Sequence, residues 1–577
     1  MDSNLAKLKQ WQNYSLIIVF LMAVLLRMVP PIKYGLPYGF DIYEFISRVF
    51  VLNEGGFVPL PHGPLFYYIQ LVILKAVGYD LFIKILTFLE PIVFSFFILP
   101  PYFISKQFKT SRNRPVYTLL YAATVNLLVH QIGSVIIPEG LGILFYGLTI
   151  FFSMKAIMGD WRWMFPAMFS GFLTAMSHHL SVFQLILFFT SLFLSYLYHY
   201  LRYERTNRLL HLLILFFLNV VLLLASSASV WSSMGEEENM LRLLLTMVIG
   251  NSFLPFMLMV GAIVFPIVII EIAKFVKRYE KFTFTKTFIS ILVVSVIIPS
   301  VLTIVFKPEA LQTILWFTLP ISLGFLPFTI HGFIQYCKEG SLYETVFFLA
   351  PLVIFMVEAS FLLSLEGYRM LIYRIPTFVI FFATPLAGYG LSCFSSELNR
   401  IEKEYLAGMV ISYFILSLAF TSYPKPEFAY GVKESINWSE IALAEDAYSY
   451  SLAFNTGIDT DNRLGVILMF LSHRKACWIG NITSWFLPSN SWLVNVSLSG
   501  KPYFPEEDLL ILFSNSMREI FGGKVLNLVT KPSGSISEEV VEYLNNSPGI
   551  DRLGDANDGA IYLFSWKKLN QSSVETP

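Results

Sequence analysis

The feature that most limits how this chain can fold is the recurrence of apolar runs about as long as a bilayer is thick. Stretches such as NYSLIIVFLMAVLL, ISILVVSVIIPSVLTIVF and FFLAPLVIFMVEASFLL fit a hydrocarbon core of roughly 30 Å, which takes about 20 apolar residues in a helix to cross. A soluble domain carries about 25% charged residues and lacks repeated runs of this kind. Here 14% of the residues are charged and 55% are hydrophobic. The chain is therefore expected to be a polytopic α-helical membrane protein embedded in a lipid bilayer. Its formal net charge of zero averages two sides of a membrane, and no nucleic-acid partner is expected. Cys337, Cys393 and Cys477 have no metal-ligand spacing, so neither a disulfide framework nor a structural zinc site is expected. The first apolar run is too long for a signal-peptide core and reads as a retained helix.

Lys and Arg set the orientation, because basic loops stay cytoplasmic. Three basic clusters, Lys106–Arg114, Arg202–Arg208 and Lys274–Lys286, fall on one side if the amino terminus, with Lys7 and Lys9, is cytoplasmic. The acidic Glu236, Glu237 and Glu238 lie between the second and third clusters. Residues 32–80 then form an outer surface loop. Its segment PLFYYIQLVILKAVGY is too short to cross and is expected to lie along the membrane surface. About thirteen helices follow, at about 13–31, 81–104, 115–134, 138–157, 163–178, 180–200, 208–229, 250–275, 287–306, 312–336, 342–364, 371–394 and 406–422. The membrane domain spans 1–422, and an odd count leaves 423–577 extracytoplasmic. That tail has turn signals and strand-like pieces, KVLNLV and AIYLFSW, and reads as a small α/β domain. Sequons at Asn437, Asn481, Asn495 and Asn570 are compatible with an outer location.

Polar residues gather at the outer ends of these helices. Asp41, Glu44 and Arg48 follow helix 1, and Glu139 opens helix 4. His178 and His179 sit at the turn between helices 5 and 6. Glu358 lies near the outer end of helix 11, and Arg369 and Arg374 near the start of helix 12. Ionisable groups in or beside a bilayer are costly and face cavities or one another. Each also has a plainer reading. Asp41 with Glu44 makes an N-cap with its capping-box partner, and Glu139 after Pro138 complements a helix dipole. The histidines suit a polar kink, since neighbours on one helix diverge by about 100°. Arg369 and Arg374, beside Tyr368 and Tyr373, suit an interfacial anchor.

The order of these features is more specific than any one of them. LLRMVPPIKYGLPYGFDIYEF resembles the first-helix exit of GT-C membrane glycosyltransferases: an arginine, a short loop, then an aspartate opening a surface helix. PHGPLFYYIQLVILKAVGY is similar to the Pro-Pro-Leu-Tyr segment of protein O-mannosyltransferases and aminoarabinose transferases, with Gly63 replacing one proline. IPEGLGILFYGLTIFFSMKAIMG resembles their next outer loop, where an acidic residue opens a helix. EGYRMLIYRIPTFVIFFATPLAGYGL resembles the late helix that carries an arginine near the lipid phosphate. Thirteen helices with an outer carboxy-terminal domain resemble oligosaccharyltransferase catalytic subunits, although the tail has no WWDYG signature and Glu139 no paired acidic neighbour.

The resemblance implies an inverting glycosyltransferase that moves a sugar from a polyprenyl- or dolichyl-phosphate carrier to an acceptor protein, glycolipid or polysaccharide. An acceptor hydroxyl needs a positioned carboxylate to take its proton, a role that falls to Asp41. The leaving lipid phosphate needs charge stabilisation, which Arg374 or Arg369 supplies. Glu139 positions the acceptor or shares a metal with Asp41 and a histidine, and Glu44, His178, His179 and Glu358 support the site. Two carboxylates and a histidine suit a divalent cation such as Mg or Mn, and family members with one-phosphate donors work without one. Metal use is open. The alternative class is a polytopic transporter or lipid-linked-sugar flippase, for which internal repeats and midplane charges are the signature. A surface receptor would leave the membrane part oversized.

Overall fold

The computed structural model describes residues 2–39, 41–56, 60, 63–108, 114–124, 138–202, 325–364, 375–398, 401–408, 436–460, 462–474, 508–515, 538–547, 549–556 and 559–565, with isolated helical residues between 213 and 275 and at 411. The expected helices at 287–306 and most of those at 208–229, 250–275 and 406–422 lie outside these residues. So do the start of the helix at 312–336, the acidic Glu236–Glu238 stretch, Arg369, Arg374, Cys477, the KVLNLV strand, and the sequons at Asn481, Asn495 and Asn570. The chain divides into two compact units. Met1–Val29, Pro59–Ile69 and Leu89–Tyr423 form the first; Pro30–Val58, Gln70–Phe88 and Pro424–Pro577 form the second.

The architecture is mainly helical, with a small mixed sheet near the carboxy terminus. In chain order the helices begin with α1 (Asp2–Tyr34), α2 (Asp41–Asn53), α3 (Pro64–Val77), α4 (Tyr79–Ser95) and α5 (Leu99–Ser105). They continue with α6 (Arg114–Thr124), α7 (Pro138–Met158), α8 (Met164–Ser177), α9 (His179–Arg202), α10 (Leu342–Ser364) and α11 (Ile375–Glu397). A further helical stretch covers 325–339. Among the described residues five helical segments are long and apolar enough to cross a membrane: Tyr14–Tyr34, Leu81–Ser105, Pro138–Met158, His179–Arg202 and Thr377–Ser396. Such a set suits a multi-pass membrane protein. The expected crossing at 163–178 is instead α8, a helix of 14 residues, about 21 Å long at 1.5 Å per residue and short of a bilayer core. Pro64–Val77 is likewise a shorter apolar helix.

Local chemistry explains the breaks. Pro100 and Pro101 cannot donate to the carbonyls of the preceding turn, and the helix tightens into a 3-10 turn at Phe96–Ile98 before α5 begins. The α7–α8 hairpin turns at Gly159 and Asp160, whose carboxylate accepts from the Arg162 amide at 3.0 Å. Trp163 then stacks on Phe152, with centroids 5.7 Å apart, and Lys155 lies 5.1 Å from the Trp163 ring.

Packing in the first unit rests on close approach. Val19 and Ala23 of α1 meet Ile98, Tyr102, Leu119 and Ala122. Phe188 of α9, Phe347 of α10 and Phe382 of α11 form a ring cluster. Gly390 on α11 lies against Gly332: a Cβ on Gly390 would fall on the Phe328 carbonyl and within 2.6 Å of the Gly332 amide nitrogen. Small residues at such a crossing let two helix backbones touch, the usual means of association where lipid removes the hydrophobic drive.

The second unit holds the sheet. Its helices are α12 (Trp438–Phe454), α13 (Asn462–Arg474) and α14 (Glu538–Asn546), and its strands β1 (Gly457–Asp459), β2 (Leu509–Ser514), β3 (Ile550–Ala556) and β4 (Gly559–Phe564). The strand order is β1-β2-β4-β3. β1 runs parallel to β2, and the other two pairs are antiparallel, with Leu510 opposite Leu563. Asn437 caps α12 in a capping box with Glu440, so this sequon asparagine is spent on the helix terminus. Its side-chain oxygen accepts from the Glu440 amide and from the Ser439 hydroxyl, each at 2.8 Å. Glu440 also receives Arg463 Nη2 at 2.5 Å and Ser514 Oγ at 3.0 Å. Both members of the ion pair have 0% exposure, so one buried carboxylate ties α12, α13 and β2 together.

Candidate active site

The sequence-predicted residues divide between the two units. In the second unit α2 follows from DIYEFISRVFVLN, where Ile42, Phe45, Ile46, Val49 and Phe50 recur at helical spacing and are all buried. Asp41 is its first residue, and Gly55, with φ +80°, follows its end. Glu44 pairs one turn on with Arg48, whose Nε lies 3.2 Å from Glu44 Oε1. That interaction commits the Glu44 carboxylate to a partner on its own helix.

In the first unit the Glu139 end of α7 lies near His178 at the α8–α9 junction, and Gln184 of α9 pairs with Glu358 of α10. Glu139 sits in the first turn of α7 and is 3% exposed; a carboxylate there is favoured by the helix dipole. One turn along, Gly142 abuts the α8–α9 junction: a Cβ there would stand 2.5 Å from His178 Cβ and 2.7 Å from Ser181 Oγ. Glycine at 142 is what lets the Glu139 end of α7 approach the histidines. His178 adopts an extended conformation, φ −159° and ψ 125°, between the two helices. The pair therefore straddles a helix break, and its rings lie side by side with centroids 4.8 Å apart. The divergence expected of neighbours on one helix does not arise, because the helix does not run through His178.

Gly63 completes the local arrangement. Its φ of +150° is a glycine conformation, and a Cβ would come 2.6 Å from the Met176 carbonyl oxygen and 2.8 Å from Ser177. This glycine thus holds the loop against the end of α8. Further along, Glu358 on α10 accepts from Gln184 Nε2 on α9 at 2.7 Å. Its second oxygen, and the buried Tyr146 hydroxyl two turns beyond Glu139 on α7, have no hydrogen-bond partner among the described residues.

Arg369 and Arg374 lie outside the described residues, and of Asp41 only the backbone is described. Among the described residues no group of three or more His, Cys, Asp or Glu side chains stands where it could hold a metal ion. The arginine that precedes the short loop in LLRMVPPIKYGLPYGFDIYEF is Arg27. Arg27 on α1 is 1% exposed; Nη1 donates to the Ala23 carbonyl at 3.1 Å, and Nε and Nη2 have no partner among the described residues. It lies about two turns inside the end of α1, and the sequence marks its place in the motif but not its burial.

No protein-family model matches the chain, and no curated protein matches it. Solved structures do resemble it. The apo oligosaccharyltransferase of Archaeoglobus fulgidus aligns with TM-score 0.48 and 13% identity, covering 81% of this chain and 64% of that one. The same enzyme, tethered by a disulfide bond to an acceptor peptide containing the NVT sequon, aligns with TM-score 0.45 and 13% identity, covering 81% and 63%. ArnT from Cupriavidus metallidurans bound to undecaprenyl phosphate aligns with TM-score 0.36 and 10% identity, covering 95% of this chain and 97% of that one. The chain spans less than two thirds of the length of the apo oligosaccharyltransferase.

Proposed function

We propose that the protein is an integral-membrane inverting glycosyltransferase that transfers a sugar from a polyprenyl-phosphate-linked donor to an acceptor on the outer membrane face. What supports this reading most is the paired placement of acidic residues at helix starts: Asp41 opens α2 and Glu139 lies in the first turn of α7, in the order the GT-C-like sequence pattern anticipates. Residues 1–422 form the membrane catalytic domain and 423–577 an extracytoplasmic domain, with the amino terminus cytoplasmic.

In the reaction the Asp41 carboxylate takes the acceptor proton as its oxygen attacks the anomeric carbon. The bond from that carbon to the phosphate oxygen breaks, configuration inverts, and the leaving lipid phosphate is stabilised by Arg374 or Arg369. Glu139 orients the acceptor, with Glu44, His178, His179 and Glu358 in support. Chelation followed by Mg or Mn add-back decides whether a divalent cation takes part.

The test uses cells lacking the protein, complemented with wild type or Asp41→Asn at matched membrane abundance. Mass spectrometry should show one sugar missing from surface proteins, lipids or polysaccharide in both the null and the mutant, with the lipid-linked donor accumulating. A mutant indistinguishable from wild type refutes Asp41 as base. The second reading, a transporter or lipid-linked-sugar flippase, is favoured by one feature, the Glu358–Gln184 pair inside the helical unit. Sugar transfer by the detergent-purified protein excludes transport as its only activity.

A further inference from the structure

The second unit contains the sheet and its helices, and it also contains α2. Phe470 of α13 packs edge-on against Tyr43, with centroids 5.4 Å apart, and against Phe50 at 5.7 Å. Tyr43 and Phe50 lie two turns apart on α2, so one ring bridges most of that helix. Phe50 also meets Tyr79 at 5.0 Å and Phe82 at 6.2 Å, and Asn53 Nδ2 donates to Tyr79 Oη at 3.0 Å. Upstream, Trp438, the first residue of α12, lies against Gly35 in the turn between α1 and α2.

The tail side of this contact is held firmly. Arg463, two turns before Phe470 on α13, is fully buried against Glu440, which also binds Ser514 of the sheet. Between them Leu464, Ile467 and Leu468 are buried with 0% exposure. By contrast, an isolated helix of α2's length, 13 residues, is marginal in water and takes its stability from the face it buries. A general base must be held to within a fraction of an ångström, and a 1 Å misplacement costs about 100-fold in rate.

We infer that the carboxy-terminal domain is a structural part of the catalytic centre, with Phe470 a positioning residue that fixes α2 and so the Asp41 base. The inference rests on the glycosyltransferase reading with Asp41 as base. The domain then acts on the chemical step itself, beyond any part it has in choosing the acceptor.

The experiment uses full-length protein in detergent. A lipid extract of cells lacking the protein serves as donor, and membranes of the same cells serve as acceptor. Phe470→Ala should lower the maximal rate about 10- to 100-fold while the half-saturating amount of extract stays within about two-fold. Phe470→Leu, which keeps most of the volume, should restore the rate to within about three-fold of wild type. In Phe470→Ala the α2 amides should exchange hydrogen at least about ten-fold faster while β2 and β4 stay protected. If the alanine variant does not accumulate, Phe470→Val is read in its place. A wild-type rate in Phe470→Ala, equal losses in the alanine and leucine variants, or unchanged α2 exchange overturns the inference. An inactive Asp41→Asn beside a fully active Phe470→Ala overturns this inference alone; an active Asp41→Asn overturns the base reading and the inference with it.

Discussion

At Gly390 in the helical unit, an added Cβ would strike the backbone of the neighbouring helical stretch; at Gly457 in the sheet unit, the nearest atom would be Leu509 Cδ1 at 3.7 Å, an ordinary contact. The buried polar chemistry differs in the same way. Within the helical unit, hydroxyls of Thr149, Thr174 and Ser177 return to carbonyls of their own helices, and Thr149 also bonds Ser170 across the α7–α8 hairpin at 3.0 Å. The sheet unit instead encloses a full ion pair, Arg463 with Glu440. The difference teaches where each unit gets its stability. Helices surrounded by lipid gain little from hiding apolar surface and associate through close backbone approach. A sheet with its covering helices gains from apolar burial and can enclose charge only where partners satisfy it.

Four variants can break or sharpen that contrast. The largest effect is expected from Arg463→Met, which strands the Glu440 carboxylate and should cost about 3–5 kcal/mol. Denaturant titration of the full chain in detergent, read by near-ultraviolet circular dichroism, measures it, and Arg463→Met with Glu440→Gln should recover part of the loss. Gly390→Ala should cost about 1–3 kcal/mol by overpacking, even though alanine is the better helix former by about 1 kcal/mol. A neutral result in the same titration would show that the crossing is not set by close approach. Gly457→Ala, with room for its methyl group, should stay within about 1 kcal/mol of wild type and on the stabilising side; a loss comparable to Gly390→Ala would erase the distinction between the units. Smallest is Tyr43→Phe. The Tyr43 hydroxyl is buried with no hydrogen-bond partner among the described residues, and burial pushes its pKa upward, so it stays neutral throughout the usual pH range. Removing it should leave transfer activity unchanged and stability equal or slightly higher.

Much of the helical unit was legible along the chain. The expected 138–157 and 180–200 became Pro138–Met158 and His179–Arg202, and the expected 342–364 became Leu342–Ser364. Apolar run length and a proline or turn at each end are local signals. The misses have local causes too. α1 extends from Asp2 rather than residue 13, because DSNLAKLKQWQ is helical without being apolar, and hydropathy marks only the membrane part. The segment 81–104 contains a 3-10 turn that a hydropathy pattern does not register.

The candidate site was legible only as separate residues. Asp41 and Glu139 announced themselves by following a turn and preceding an apolar run. Nothing in GILFYGL says that Gly142 faces His178, nothing in FQLILFF pairs Gln184 with Glu358, and LLRMVPP does not disclose that Arg27 is buried.

By itself the sequence determined that this chain has bilayer-length helices, where many of them start and stop, and that a polar domain follows them. Those properties depend on hydropathy and caps within a few turns of chain. Only the tertiary structure decided that Phe470 reaches α2, that the two histidines straddle a helix break, and that Arg463 is enclosed with Glu440. Such pairings join residues distant in the chain, and they follow from the shape and packing of whole elements rather than from any local pattern.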